Sequence, residues 1–285
     1  MTQQHSTPPT SKRPAPPEAL PLPVVDNHCH IDMARRGDDL PDVAAVLREA
    51  RAVGVDRVVH IGCSVSEAED AVELAEAHPS LLAGVALHPN ETPALAAAGE
   101  LDAAIDRIGE LVAHPRVRTV GETGLDYYRT GPEGREAQHH SFRRHIALAK
   151  EHGLPLQIHD RDSHDDVLRI LREEGAPQAT VFHCFSGDLA MARECVAAGY
   201  YLSFSGTVTF KNARDLRDAL SVTPLDQVLV ETDAPYLTPM PHRGAANAPY
   251  LMPHTVRAMA EVLNISVPQL AEAVSANAER LYGPW

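Results

Sequence analysis

From residue 24 onward, short runs of β-branched and aliphatic residues alternate with longer stretches in which apolar positions recur every three to four residues. The short runs, at 24–27, 57–61, 82–87, 117–120, 156–158, 179–182, 200–204 and 228–230, have the length and composition of buried strands. The longer stretches, at 41–53, 66–77, 101–113, 134–151, 163–174, 189–198 and 213–220, carry helical periodicity, and 253–263 and 267–281 add two more at the C-terminal end. Near-continuous apolar strands are what a parallel sheet covered on both faces requires. Eight strand candidates, most followed by a helix, favour a closed (β/α)8 TIM barrel over a doubly wound sheet. No second composition break interrupts 24–285, so this span is expected to be a single domain. Residues 1–23 are different: they are rich in Pro, Ser, Thr and Gln and nearly free of large apolar side chains before Leu20. Such a segment cannot bury enough surface to offset its ordering entropy and is expected to be a disordered N-terminal tail.

A parallel barrel collects the C-terminal ends of its strands on one rim, where βα loops build active sites. In this chain the strand ends carry metal-ligand residues. Val24-Val25-Asp26-Asn27-His28-Cys29-His30 closes the first strand, and side chains two apart on a strand share a face, so His28 and His30 can hold one ion. With 16 histidines in the chain, about one His-x-His arises by chance, and it is the strand-end position that gives this one weight. Glu122 follows Val120-Gly121, His159 follows Leu156-Gln157-Ile158, His183 follows Val181-Phe182, and Asp233 follows Glu231-Thr232. Six such ligands are too many for one catalytic ion, which must keep a coordination position open. Two divalent cations fit better, with Glu122 bridging, His28, His30 and Asp233 completing one site, and His159 and His183 the other. Asp233 and Glu122 are the candidate catalytic carboxylates, Asp233 as acceptor of the attacking water's proton. Asp26 is placed to support the first-strand histidines. A carboxylated lysine is not expected as the bridge, because Lys150 falls on a helix. Imidazole ligands suit Zn2+ and Mn2+ more than Mg2+, and the native ion stays open among the three.

Other polar residues belong to the same rim. His88 ends the third strand; Arg161 follows His159; Ser186 follows His183; Arg129 and Arg243 lie in rim loops. These five are candidate substrate contacts, the arginines because a guanidinium can hold phosphate oxygens bidentately. Each arginine also has an ordinary surface role as its alternative. Gln138 is expected to orient structure rather than react. Tyr127, Tyr128, Phe185 and Tyr236 could present faces to nucleobases, or simply pack the core.

Charge narrows the partners. With 25 basic against 39 acidic residues, the net charge of −14 excludes a broad basic surface of the kind that binds nucleic acid by counterion release. A polyanionic substrate must therefore be gripped locally. The four cysteines, Cys29, Cys63, Cys184 and Cys195, form no C-x-x-C pair and read as reduced thiols of a cytoplasmic protein. No apolar run reaches the ~20 residues a membrane span needs. The protein is expected to be soluble and cytoplasmic; its oligomeric state stays open, and a monomer is compatible with all of this.

The motifs carry a family resemblance. His28-x-His30, Gly121-Glu122-Thr123-Gly124-Leu125-Asp126-Tyr127-Tyr128, His159-x-Arg161-Asp162, His183-Cys184-Phe185-Ser186-Gly187, Ser203-Phe204-Ser205-Gly206 and Glu231-Thr232-Asp233-Ala234-Pro235-Tyr236-Leu237 resemble the TatD family of metal-dependent hydrolases, within the amidohydrolase superfamily. The likeness runs from Val24 to about Leu281. It implies a TIM barrel with two divalent cations and a deoxyribonuclease, a magnesium-dependent enzyme removing nucleotides from 3′ ends, with DNA, single-stranded or at 3′ ends, as partner and no membrane association. Two positions depart from the family pattern. Arg243-Gly244-Ala245-Ala246-Asn247-Ala248-Pro249 lacks the charged residues usual after Arg-Gly, and Ser163 stands where alanine is usual. The alternative within enzymes is a metallohydrolase of a small ester, amide or phosphoester.

Overall fold

The computed structural model describes residues 13–35 and 37–285. Eight strands form one sheet in chain order, each paired in parallel with the next: β1 (Val24–Cys29), β2 (Val55–Gly62), β3 (Leu81–Val85), β4 (Val117–Asp126), β5 (Leu156–Arg161), β6 (Thr180–Phe182), β7 (Tyr201–Phe204) and β8 (Val228–Val230). Between them run α1 (Val43–Ala52), α2 (Val65–Ala77), α3 (Thr92–Ala98), α4 (Leu101–Val112), α5 (Arg135–His152), α6 (His164–Glu174), α7 (Leu189–Ala197) and α8 (Arg214–Val222), and α9 (Met252–Leu263) and α10 (Val267–Tyr282) follow β8. At the seam between β8 and β1, irregular bonds take the place of a ladder. Asn27 Nδ2 donates to Val230 O (2.8 Å), Thr232 N to Asp26 Oδ1 (2.9 Å), Asp233 N to His28 O (3.0 Å) and His30 N to Ala234 O (2.9 Å). The fold is the expected (β/α)8 TIM barrel.

The helices form where the apolar spacing puts one stripe inward. In α4 the buried residues Leu101, Ile105, Ile108 and Val112 step by four, three and four, the period of one helix face. Burying each such side chain contributes about 1.5–3 kcal/mol. Side-chain caps fix several starts: Asp42 accepts from Ala45 N, Ser64 from Glu67 N, and Ser266 with Gln269 forms a capping box at the head of α10. Two apolar layers result. Val25, Val59, Ile61, Leu82, Val181 and Leu229 fill the barrel interior together with Ala278 and Tyr282 of α10, and a larger layer lies between the strands and the ring of helices.

Two elements depart from the sequence expectation. β4 does not stop at 120: it continues through polar Glu122 and Thr123 to Asp126, buried along almost its whole length. Glycines allow this by letting β5 approach. A Cβ at Gly121 would sit 2.5 Å from Gln157 Cβ, and one at Gly124, whose φ is +138°, 2.1 Å from His159 O. The short alanine-rich α3, closed by Gly99, has no counterpart in the expected pattern. Of the tail expected over 1–23, residues 1–12 lie outside the described residues. Residues 13–23 run along the barrel wall instead of standing free: Leu20 is buried with its N–H on Val53 O (2.9 Å), and Pro14 O and Pro23 O accept from Tyr250 OH and Ser275 Oγ, each at 2.8 Å.

Candidate metal centre

At the C-terminal rim of the barrel the six expected ligands converge. His28 Nδ1 is 2.6 Å from Gln157 Oε1, and His30 Nδ1 is 3.1 Å from Ile61 O, so both histidines turn Nε2 toward the same point. Cys29, between them, packs into the outer apolar layer. Asp233, in a left-handed backbone conformation (φ +52°) after β8, brings Oδ1 to 3.5 Å from His30 Nε2 and 3.9 Å from His28 Nε2. Glu122 lies within β4 rather than at its end and divides its two oxygens. Oε2 faces His28 Nε2 (3.4 Å) and His30 Nε2 (3.8 Å); Oε1 faces His159 Nδ1 (2.6 Å), His183 Nε2 (2.9 Å) and His88 Nε2 (3.5 Å). The ligand atoms of His28, His30 and Asp233 fall within 4.8 Å of one another, as do those of His28, Glu122 and His183, and of His88, Glu122 and His159.

The electrostatics are those of a cation site. Burial alone would raise the Glu122 carboxyl, but His183 and His88, with hydrogen bonds from His159 and His183, hold it well below the usual carboxylate range. Asp233 is likewise lowered: burial is outweighed by the His30 hydrogen bond and by the charges of His183, His28 and His30. Burial would lower His30, yet Asp233 and Glu122 raise it to about 9, and Glu122 and Glu231 raise His183 against the same penalty. Two imidazoles, His28 and His183, stack at 3.8 Å, an awkward arrangement for two cationic rings. His28 Nε2 is buried and has no hydrogen-bond partner among the described residues. Carboxyls held low, converging ring nitrogens and an unpartnered buried atom fit divalent cations bound among them.

The cavity above this cluster has a volume of about 590 Å³, ample for a small ligand or a nucleotide unit. His88, Arg129, Arg161 and Ser186 line it, as expected, and so does Tyr236. Ser186 donates its hydroxyl to Asp160 O (3.0 Å), and the Arg161 guanidinium lies 3.8 Å over the ring of Tyr128. Arg243, the fifth expected contact, is not among the residues lining this cavity; its guanidinium packs over Phe210 at 4.3 Å. Phe185 is buried in the outer layer, and Tyr127 binds Asp166 and His139 through its hydroxyl, which leaves Tyr128 and Tyr236 as exposed rings. Gln138 accepts from Asp126 N (3.0 Å) and donates to Thr130 Oγ1 (2.8 Å), an orienting role.

Four residues of the site were not singled out from sequence. Asp126 Oδ2 lies 3.2 Å from His159 Nε2, Glu231 Oε1 lies 3.2 Å from His183 Nδ1, Gln157 supports His28, and Cys63 Sγ approaches Glu122 Oε2 at 3.7 Å. Asp126 and Glu231 sat inside quoted motifs, and Cys63 follows β2 directly, so a survey of every strand end would have found it.

Comparison with known proteins places these features. The profile of the family described as TatD related DNase matches residues 25–283. A metal-dependent hydrolase named TatD from Mycobacterium tuberculosis is 48% identical over 264 residues, covering 91% of this chain and 98% of that protein. The metal-dependent hydrolase YabD of Bacillus subtilis is 37% identical over 260 residues, with 91% and 98% covered. Among solved structures, the TatD homologue YJJV of Escherichia coli superposes with a TM-score of 0.81 at 28% identity, covering 91% of this chain and 97% of that one.

Proposed function

The chain belongs to the TatD family of metal-dependent hydrolases, and from that premise we propose that it cleaves phosphodiester bonds of DNA, removing nucleotides from single-stranded or frayed 3′ ends. The observation that carries the reading is the division of Glu122 between two imidazole sets, which offers a bridging position to a pair of ions. Bound there, two divalent cations, Mg2+, Mn2+ or Zn2+, would acidify a water and neutralise charge developing on phosphorus oxygens. Asp233, ionised and facing the first-strand histidines, accepts the proton of the attacking water at a carboxylate oxygen. Arg129 and Arg161 grip phosphate at the cavity wall, and Tyr128 and Tyr236, both exposed, offer faces for a terminal base. His88 stands between the roles of substrate contact and ligand, since its Nε2 shares Glu122 Oε1 with His159.

End-labelled single-stranded and duplex DNA, incubated with Mg2+ or Mn2+, tests this. Stepwise shortening from the 3′ end is the expected result. Absence of cleavage of any DNA, alongside turnover of a small ester, amide or phosphomonoester, would replace it with the small-substrate metallohydrolase.

A further inference from the structure

A buried chain of hydrogen bonds crosses the floor of the metal centre and ends on the C-terminal helix. Gln157 Nε2 donates to Asn27 O and to Tyr282 OH, each at 2.8 Å. Tyr282 OH donates to Asn27 Oδ1 (3.1 Å); Asn27 Nδ2 donates to Ser203 Oγ and Val230 O, each at 2.8 Å. Ser203 Oγ donates to Glu231 Oε2, and Glu231 Oε1 receives Cys184 N–H (2.8 Å) and faces His183 Nδ1 (3.2 Å). Every side chain in this chain except His183, itself only slightly exposed, is completely buried.

The direction of each bond is dictated. Backbone carbonyls Asn27 O and Val230 O can only accept, so both amide nitrogens must face them. Gln157 Oε1 is therefore turned to His28 Nδ1, and Asn27 Oδ1 to the tyrosine hydroxyl. The hydroxyl accepts from Gln157 and donates to Asn27, the one arrangement that satisfies both. At the far end the Glu231 carboxyl oxygens accept from three neighbours, Ser203 Oγ, Cys184 N–H and His183 Nδ1. Both metal-facing histidines, His28 and His183, are thereby held with Nδ1–H on these acceptors, which turns Nε2 toward Glu122.

We propose that Tyr282 is a positioning residue of the metal centre: its hydroxyl, delivered through the barrel floor by α10, joins Asn27 O in holding the Gln157 amide and through it the tautomer of His28. Without the hydroxyl, Asn27 Oδ1 loses its donor and Gln157 Nε2 one of its two acceptors, so Asn27 O alone is left to oppose the reversed amide, which would demand the opposite tautomer of His28. The C-terminal helix thus acts at a distance on one ligand while touching neither substrate nor ion.

The inference rests on the metal centre proposed above, and the test separates the two. Wild type, Tyr282→Phe and Gln157→Leu are stripped of metal, their histidine ring nitrogens are read by 15N NMR, and each is titrated with Mn2+. Val274→Ala loosens the packing of α10 without touching the chain, and serves as the structural control. Expected in wild type is a single Nδ1–H signal for His28. Both network variants should show a tautomer mixture and a loss of about 10- to 100-fold in affinity for one of two Mn2+ ions. Val274→Ala should lower thermal stability and leave both readouts unchanged. Folded Tyr282→Phe with the wild-type ring signal and wild-type Mn2+ affinity would overturn the proposal. A wild-type protein that binds no Mn2+ or Zn2+ would instead defeat the metal centre, while the ring signal of the metal-free protein still reports on the hydrogen-bond chain.

Discussion

Glu122 and Asp233 carry different burdens, although both are ionised and both face imidazoles. Glu122 is the contact shared by both donor sets, so its loss removes an oxygen from each. Elemental analysis of Glu122→Ala should find both equivalents of divalent ion gone; a fully loaded variant would contradict the bridge. Asp233 touches only the first set. Asp233→Asn keeps the shape and one coordinating oxygen but removes the proton acceptor, so turnover should fall by about 10²-fold or more with metal content largely kept. Near-normal turnover would assign the proton to another group. The six converging side chains were legible from sequence because each stands at or just after the apolar run of a strand. Gln157 and Tyr282 were not: a polar side chain inside a barrel strand and a tyrosine near the C-terminus look ordinary until the fold brings them together.

Elements place these residues, and α5 shows how. His145, on the buried face of α5, accepts Leu87 N–H at Nε2 (3.1 Å) and donates Nδ1–H to Ser141 O (2.7 Å), pinning the segment that follows β3 just before His88. Burial, with a smaller contribution from Arg144, lowers its pKa from 6.5 to about 4 against the opposing bond to Ser141. A histidine lowered on folding binds its proton more readily in the unfolded chain. Its contribution is therefore complete above about pH 6.5 and is lost as pH falls toward 4, by about 3 kcal/mol at pH 4. Urea unfolding of the metal-free protein should show the stability gap between wild type and His145→Gln narrowing by about that amount from pH 7 to pH 4. A constant gap would mean that His145 is not held neutral. At this scale periodicity located the long helices within about two residues at each end, because one-sided burial writes itself into the spacing. It failed for β4, where glycines and a buried glutamate broke the apolar run without ending the strand, and for α3, too short to establish a period.

The whole molecule is acidic, which limits how it could meet the DNA substrate proposed for it. A net charge of −14 supplies no general attraction to a polyanion, so binding depends on the metal centre and on the two arginines that line the cavity, Arg129 and Arg161. Arg243 packs on Phe210, and Ala245 and Ala246 bring no charge to the neighbouring loop, so among the described residues the loop after β8 adds no basic group to the cavity lining. Few phosphates can then be neutralised. For single strands log affinity falls with log salt by about 0.7 per contacted phosphate, so a site holding two or three should give a slope of roughly −1.4 to −2.1. Replacing Arg161 by alanine should flatten that slope by about one phosphate's share and weaken binding uniformly across sequences, because a phosphate contact reads no base. Arg243→Ala, packed away from the cavity, should leave the slope unchanged. Binding isotherms of single-stranded oligonucleotides across a salt series, with Ca2+ in place of the working ion, decide the matter. A steep slope, or efficient cutting of closed circular duplex, would require a phosphate-binding surface beyond the barrel mouth; a shallow slope that depends on Arg161 confines recognition to the end of one strand entering the cavity.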